Sequence, residues 1–302
     1  MITRRSLVAV GASLSLVLLA TAAPHAQTLQ RGIYASVLNK AGEPVPDLTP
    51  ADFIVREENL AREILRVEPA TAPMQVALLV DNSSRSSANM RDIREATNAF
   101  IKAMTGGGMK NEIAVITVAD RPTILADYSS DQARLLKNAG PLFTQPNSGA
   151  YMLDGILESS RAFKKREAAR PVIVVIATNG PEYSTRYRDQ VIGAITDAGA
   201  ALHIIMVGAP PNDMGTNEGR ERAFIYSEGT AKTGGRYDNV LAGSALPARL
   251  TQVANELTHQ YLVTYARPQS LIPPEHITIA SKRADLTVRG TPVKVTDARG
   301  PR

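Results

Sequence analysis

Short, nearly continuous apolar runs rich in valine and isoleucine recur along the middle of the chain. They cover Gln75–Val80, Ile113–Val118, Val172–Ala177 and Leu202–Val207. Runs of this kind are typical of strands covered on both faces, as in a parallel sheet. Between and after them, apolar residues recur at three- and four-residue spacing, which predicts amphipathic helices. The four stripes are Met90, Ile93, Thr97, Phe100, Ile101 and Met104; Met152, Leu153, Ile156, Leu157, Ser160 and Phe163; Val191, Ile192, Ile195 and Ala198; and Leu250, Val253, Ala254, Leu257 and Tyr261. This alternation predicts a doubly wound α/β domain with a mostly parallel sheet over residues 71–266.

Shorter extended segments flank this domain on both sides. Those before it are Gly32–Leu38, Phe53–Arg56 and Glu63–Val67, and those after it are Ile277–Ala280, Leu286–Val288 and Val293–Val295. Neither flank is long enough to bury a core of its own. Because the two ends of a chain often lie close together, we expect residues 27–70 and 267–302 to pack into one small β-sandwich.

Residues 1–26 have the pattern of a secretory signal peptide. Arg4 and Arg5 form a positive start, the uncharged stretch Leu7–Ala20 follows, and small residues continue to Ala26. The apolar stretch is too short for a stable membrane span. The paired arginines also resemble a twin-arginine signal, so both export routes stay open. The mature protein is expected in the periplasm or outside the cell, without a membrane span.

Composition removes several classes of function. The chain has no cysteine, which excludes disulfides, thiol catalysis and thiolate metal sites. Its four histidines lack the spacing of a metal-ligating helical pair. Without the two arginines of the signal, 32 basic residues face 29 acidic ones, an excess too small to indicate nucleic-acid binding. The Gly-x-Ser-x-Gly and Walker motifs are both missing. The pattern favours binding over catalysis.

The loop after the first apolar run carries the most informative motif. Ligands of open α/β sheets bind at the carboxyl ends of the strands, where the strand order reverses. The first such end reads Leu78-Leu79-Val80-Asp81-Asn82-Ser83-Ser84-Arg85-Ser86, a strand that leads directly into Asp-x-Ser. This motif resembles the von Willebrand factor A domain, also called the integrin I-like domain. Similarity to bacterial exported members of that family extends to residues 45–55, 233–237 and 256–265.

The resemblance implies a Rossmann-like fold, a role in protein binding and a divalent-metal site, the metal-ion-dependent adhesion site. In the family, Asp-x-Ser-x-Ser, a threonine of a later loop and an aspartate after the fourth strand supply the ligands. Here Asp81 and Ser83 match the first two positions. The third serine is replaced by Arg85, the threonine by Ala150 and the aspartate by Asn179.

These departures predict a site without metal. Magnesium prefers a shell of hard oxygen ligands, and only Asp81 and Ser83 remain as residual candidates. Arg85 adds a positive charge where the cation would lie, and like unit charges 4 Å apart repel by about 4 kcal/mol at an effective dielectric constant near 20. We therefore expect no cofactor, with Mg²⁺ disfavoured. The Arg85 guanidinium is expected to pair with Asp81, the alternative being that it points into solvent from a loop that has merely lost its ligands.

The sequence thus predicts an exported, non-enzymatic module. It would bind a protein or another cell-envelope partner through Asp81, Ser83, Arg85, Ala150 and Asn179. One alternative is a serine-type hydrolase that uses Ser83 or Ser84 with Asp81, although a general base is missing. Another is a sensor in which Arg85 receives a small anion.

Neighbouring polar residues are interpreted as structural. Asp154 begins a predicted helix, where an acidic residue suits the helix dipole. Ser84, Ser86 and Ser87 are expected to cap the helix that follows them. His203 lies within an apolar run, which predicts a satisfied histidine of the core.

Overall fold

The computed structural model describes residues 28–108, 110–268, 272, 274 and 276–294. The predicted signal segment and the last strand residue, Val295, lie outside the described residues. The strands are β1 Thr28–Leu38, β2 Phe53–Glu57, β3 Leu60–Arg62, β4 Ile64–Pro69, β5 Gln75–Val80, β6 Glu112–Thr117, β7 Thr123–Ser129, β8 Pro171–Thr178, β9 Ala201–Val207, β10 Tyr237–Val240, β11 Tyr261–Pro268, β12 Ile277–Ser281 and β13 Thr287–Pro292. The helices are α1 Met90–Thr105, α2 Gln132–Ala139, α3 Met152–Lys165, α4 Arg188–Ala198, α5 Asn217–Phe224, α6 Thr230–Lys232 and α7 Leu246–Thr258.

The central sheet has the strand order β10-β9-β8-β5-β6-β7, and every neighbouring pair except β6–β7 is parallel. Side chains of α1, α2 and α7 bury one face, and those of α3, α4 and the segment around Ile225 bury the other. This covering on both faces explains the continuous apolar runs, because every residue of β8 and β9 is buried. The fold is therefore the expected doubly wound α/β architecture.

The chain leaves β5 in one direction to form β6 and β7, and returns to the other side of β5 to form β8. The carboxyl ends of β5 and β8 are therefore the point where the strand order reverses. In open α/β sheets a crevice for ligands opens at this point.

A β-sandwich lies beside the α/β unit and is built from both ends of the chain. One sheet has the order β13-β1-β11-β4 and the other β12-β2-β3. Ile33, Phe53, Val55, Val263 and Tyr265 are among the buried side chains between them. The predicted sandwich of the two flanks is confirmed.

The sandwich includes a strand that the sequence pattern assigned elsewhere. The fourth helical stripe predicts a helix that reaches Tyr261, but α7 ends at Thr258 and Tyr261 begins β11. Strand β11 pairs with β1 and β4, with Ile33 opposite Val263. A single strand, β13, also replaces the two predicted at 286–288 and 293–295. The division into separately folding units stays a prediction.

Candidate functional site

Asp81 joins the two strands at the reversal point. It is buried at the carboxyl end of β5, and its Oδ1 accepts a hydrogen bond from the Ser83 N–H at 2.9 Å. Its Oδ2 accepts from the N–H of Thr178 at 3.1 Å and from the Thr178 hydroxyl at 2.5 Å. The carboxylate therefore ties the first loop to the end of β8. No pattern in the sequence links Thr178 to Asp81.

Arg85 does not pair with Asp81, so this expectation is wrong. The Arg85 side chain is exposed, and within the described part of the chain it makes no ion pair or hydrogen bond. Both oxygens of Asp81 already have donors from the backbone and from Thr178. The aliphatic stem of Arg85 lies over Gly180, where a Cβ would be 3.0 Å from its Cγ and 3.2 Å from its Cβ. The backbone of the loop after β8 thus lies against the aliphatic part of the Arg85 side chain.

The serines of the first loop brace a neighbouring loop instead of capping α1. Ser84 Oγ accepts a hydrogen bond from the Ser148 N–H at 2.9 Å, and Ser86 Oγ donates to the Ser83 carbonyl at 2.7 Å. Asn89, which precedes α1, makes no side-chain cap either. The predicted capping is wrong because residues 84–89 form a 3-10 turn ahead of the helix.

Ala150 lies at a junction of backbone segments. It is buried, its N–H donates to the Pro181 carbonyl at 3.4 Å, and its carbonyl accepts from the Tyr183 N–H at 2.8 Å. The Tyr183 ring lies against Gly149, where a Cβ would be only 2.0 Å from a ring carbon. Tyr183 also meets Tyr151 edge-on, with ring centroids 6.2 Å apart. Although 52% exposed, Tyr183 is therefore held in one position.

The donor set at the reversal point does not fit a divalent cation. Asp81 already accepts three hydrogen bonds from protein donors, and Ala150 offers no side-chain oxygen. Asn179 is neutral and exposed. The Ser83 hydroxyl is buried and has no hydrogen-bond partner among the described residues. One hydroxyl and one carboxylate that already accepts three hydrogen bonds fall well short of the oxygen shell that magnesium prefers.

A buried acid, Glu182, lies in the loop after β8, and sequence reasoning missed it. Its Oε1 accepts a hydrogen bond from the Ser184 N–H at 3.0 Å, whereas no donor among the described residues lies within hydrogen-bond distance and geometry of its Oε2. Ser184 Oγ in turn accepts from the N–H of Asp154 in the first turn of α3 at 3.0 Å. Burial raises the pKa of Glu182 to about 7. A lone acid in a loop carries no signal that would reveal this burial.

Arg222 supports the same loop from α5. Its Nη1 donates to the Gly180 carbonyl at 2.5 Å, and its Nη2 donates to Asp213 Oδ1 at 2.6 Å. The loops after β8 and β9 are thus joined by buried charge-assisted contacts.

The predicted helix-start residue, Asp154, lies in the first turn of α3 and pairs with Arg186 at 2.5 Å.

Replacing Glu182 with glutamine is expected to remove a pH dependence of stability. The folded-state pKa, about 7, lies above the ordinary value of 4.5. The unfolded chain therefore loses this proton first, so the stabilisation is complete below pH 4.5 and is lost as the pH rises through 7. The loss between pH 5 and pH 7 is about 2 kcal/mol.

Urea unfolding at several pH values measures this effect. The Glu182→Gln protein is expected to lose that component, whereas Glu167→Gln, which alters an exposed acid after α3, keeps it. If the unfolding free energies of the wild type and Glu182→Gln change with pH in parallel, Glu182 is not the source of the pH dependence.

Large apolar side chains are exposed around this edge of the sheet. They lie in loops near the reversal point or at the carboxyl ends of neighbouring strands: Phe143, Tyr183, Tyr187, Met214 and Leu241. The loop of Phe143 is held to the first loop, because Asn82 Nδ2 donates to the Phe143 carbonyl at 3.3 Å. Contiguous exposed apolar patches mark interaction surfaces, and these five side chains lie at one edge of the sheet. Aromatic residues in the loops after predicted strands are the sequence signal for this surface.

Comparison with known proteins identifies the family. The von Willebrand factor type A domain model matches residues 75–230, just over half of the chain. A search of curated proteins found no match.

Several solved structures are similar to this chain. A von Willebrand factor type A protein from Catenulispora acidiphila is 11% identical with a TM-score of 0.49, and the match covers 87% of this chain and 71% of that one. The vWF domain of the type V pili tip protein Mfa5 from Porphyromonas gingivalis is 12% identical with a TM-score of 0.47, covering 61% and 95%. BatB from Bacteroides thetaiotaomicron is 17% identical with a TM-score of 0.44, covering 61% and 98%. Because the family model spans more than half of the sequence, the chain belongs to the von Willebrand factor type A domain family.

Proposed function

We propose that this protein is an exported, non-enzymatic module that binds another protein or a cell-envelope component without metal. The binding surface is formed by the loops at the carboxyl ends of the central strands, which we name the carboxyl edge: residues 81–89, 119–122, 140–151, 179–187, 208–216 and 241–245. Domains of this family commonly mediate protein–protein interaction. The observation that carries the proposal is the set of exposed apolar side chains on these loops, of which 81–89 and 140–151 are hydrogen-bonded to each other.

The metal-free state is supported by the hydrogen bonds that the Asp81 carboxylate already accepts. The carboxylate already accepts three hydrogen bonds, two of them at Oδ2, so a cation would compete with protein donors for a buried group. Losing such partners in a buried site costs about 1–3 kcal/mol for each group left unsatisfied. Ser83 alone offers little to offset that cost.

A hydrolase role has less support. The Ser84 hydroxyl bridges two loops, and none of the described hydrogen bonds joins a histidine to Ser83 or Ser84. His203 lies fully buried within β9, and His259 follows α7. Labelling of Ser83 or Ser84 by a fluorophosphonate would favour the hydrolase over binding.

Export is proposed from the signal-like pattern of residues 1–26. Among the described residues, every helix is too short or too polar to cross a bilayer. The apolar stretch Leu7–Ala20 follows two arginines and precedes small residues, which is the order of a secretory signal.

A photo-crosslinking amino acid at Tyr187 tests the binding surface in cells that produce the full chain. The matched control is Leu60, which is equally exposed but lies on β3 of the sandwich. We expect a defined crosslinked partner from position 187 and none from position 60. The yield is expected to stay the same when EDTA or Mg²⁺ is added. Crosslinks from position 60 alone would contradict the proposed surface, and loss of crosslinks with EDTA would contradict the metal-free state.

A further inference from the structure

We propose that a cavity between the β-sandwich and the α/β unit is a second binding site, which takes a small molecule with an apolar body and an ammonium group. This junction cavity is formed by the segment 44–48, the end of β4, the end of α7 and the start of β11. It lies away from the carboxyl edge, so the inference is independent of the proposed function.

The junction cavity has the size and the position of a small-molecule site. Its volume is about 510 Å³. Gln260, which lines it, accepts a hydrogen bond at 2.7 Å from Arg170, and Arg170 directly precedes β8. The cavity therefore lies near the amino ends of the central strands, opposite to the carboxyl edge. Pockets of about 300–1,000 Å³ between folded units are a usual place for small ligands.

The walls of the junction cavity are apolar and already fixed. The lining includes three prolines and three aliphatic side chains: Pro44, Pro46, Pro69, Val45, Leu48 and Val67. The Tyr261 hydroxyl holds the segment 44–48, because it donates to the Val45 carbonyl at 2.8 Å and accepts from the Leu48 N–H at 3.3 Å. The proline rings lock their own φ angles. Little conformational entropy is therefore lost in these walls when a ligand binds.

The two polar side chains of the lining that remain free are both acceptors. Asp47 is exposed, no described residue pairs with it, and no lysine or arginine is in the described lining. His259 Nδ1 lies 2.8 Å from the Asn255 carbonyl, which can only accept, so Nδ1 carries the proton of the neutral ring. The Nε2 lone pair has no donor among the described residues, so it is available to a ligand. Thr258 and Gln260 already make hydrogen bonds within the protein.

This combination selects a cation with an apolar body. An ammonium group donates hydrogen bonds and accepts none, which matches the Asp47 carboxylate and the His259 Nε2. An anion would meet a like charge and no free donor side chain in the described lining. Because burial of apolar surface drives binding, the proline and aliphatic walls favour a ligand whose remaining atoms are mostly hydrocarbon.

Fluorescence titration of the full chain with three dansyl probes tests the inference. Dansylcadaverine ends in a primary ammonium, its N-acetyl derivative is neutral, and N-dansyl-6-aminohexanoate ends in a carboxylate. We expect saturable binding that brightens the dansyl emission. Dansylcadaverine is expected to bind about fivefold more tightly than the neutral probe, and the carboxylate probe is expected to bind most weakly.

Two substitutions localise the binding. Asp47→Asn introduces a residue that tolerates the left-handed backbone of this position, where φ is 59°, and is expected to reduce the affinity of dansylcadaverine to that of the neutral probe. The matched control Asp189→Asn alters an exposed acid in the first turn of α4 and is expected to bind like the wild type. Pro69→Trp adds a large side chain at an exposed position of the lining and is expected to weaken binding of all three probes.

Equal affinities for the ammonium and carboxylate probes would overturn the inference, as would an unchanged preference for the ammonium in Asp47→Asn. So would the absence of saturable binding, or binding that Pro69→Trp leaves intact, because the dye would then bind elsewhere. Each of these results leaves the proposed function untouched, since the crosslink from position 187 reports on the opposite edge of the sheet. Loss of that crosslink, in turn, leaves the junction cavity unaffected.

Discussion

Replacing Arg170 with methionine is expected to lower the free energy of unfolding by about 3–5 kcal/mol. Arg170 is almost fully buried, just before β8, where the α/β unit meets the sandwich. Its Nη1 donates to the carbonyls of Ala70 and Ala72, at 3.2 and 3.0 Å. Its Nη2 donates to the Leu257 carbonyl at 2.9 Å and to Gln260 Oε1 at 2.7 Å. Methionine fills a similar volume but leaves these four oxygens without the donors that join the two parts of the molecule.

Urea unfolding of the full chain measures this loss. Arg161→Met is the matched control, because Arg161 is exposed on α3 and makes no ion pair among the described residues. Its effect is expected within about 0.5 kcal/mol. A loss below about 1 kcal/mol for Arg170→Met would show that water or neighbouring groups replace the guanidinium.

Acidification from pH 7 to pH 4 is expected to cost the folded state about 3 kcal/mol through His203 alone. His203 is fully buried in β9, and neither ring nitrogen has a hydrogen-bond partner among the residues that the structure describes. Burial lowers its pKa from 6.5 to about 4. The unfolded chain therefore takes up the proton first, so the stabilisation is present above pH 6.5 and is lost as the pH falls through 4.

His203→Leu isolates this effect, because leucine suits the apolar strand and does not titrate. The variant is expected to gain stability relative to the wild type as the pH falls from 7 to 4. His259→Leu, at an exposed position after α7, is the control and is expected to keep the acid sensitivity. If the difference in unfolding free energy between the wild type and His203→Leu stays constant from pH 7 to pH 4, His203 is not the source of the acid sensitivity. The prediction of a satisfied core histidine was correct about burial but wrong about its hydrogen bonds.

The central sheet could be predicted because its strands carry their own signal. Strand β8 is buried along its whole length, so its apolar run is continuous in the sequence. The edge strand β7 was missed because Ala126 is its one fully buried residue and the others resemble a loop. The short strand β10 was missed because four residues carry too little pattern.

The candidate site could be located from the sequence, but its contacts could not. Asp-x-Ser after an apolar run placed Asp81 and Ser83 correctly at the reversal point. The partner of Asp81 is Thr178, a contact 97 positions away that only the folded sheet creates. Glu182 is buried for the same reason, because a distant helix end and loop enclose it. Residue types thus predict which chemistry is available, whereas tertiary packing decides which groups are already satisfied.

The pairing of β1 with β11 and β13 has a consequence for the order of folding. Ile33 pairs with Val263, and Val37 with Val288. The partners of β1 are therefore synthesised more than 200 residues after β1 itself. Closing so long a loop must follow formation of the intervening α/β unit, which shortens the distance between the two ends. During biosynthesis the N-terminal strand therefore remains an unpaired, aggregation-prone edge until the C-terminal strands emerge.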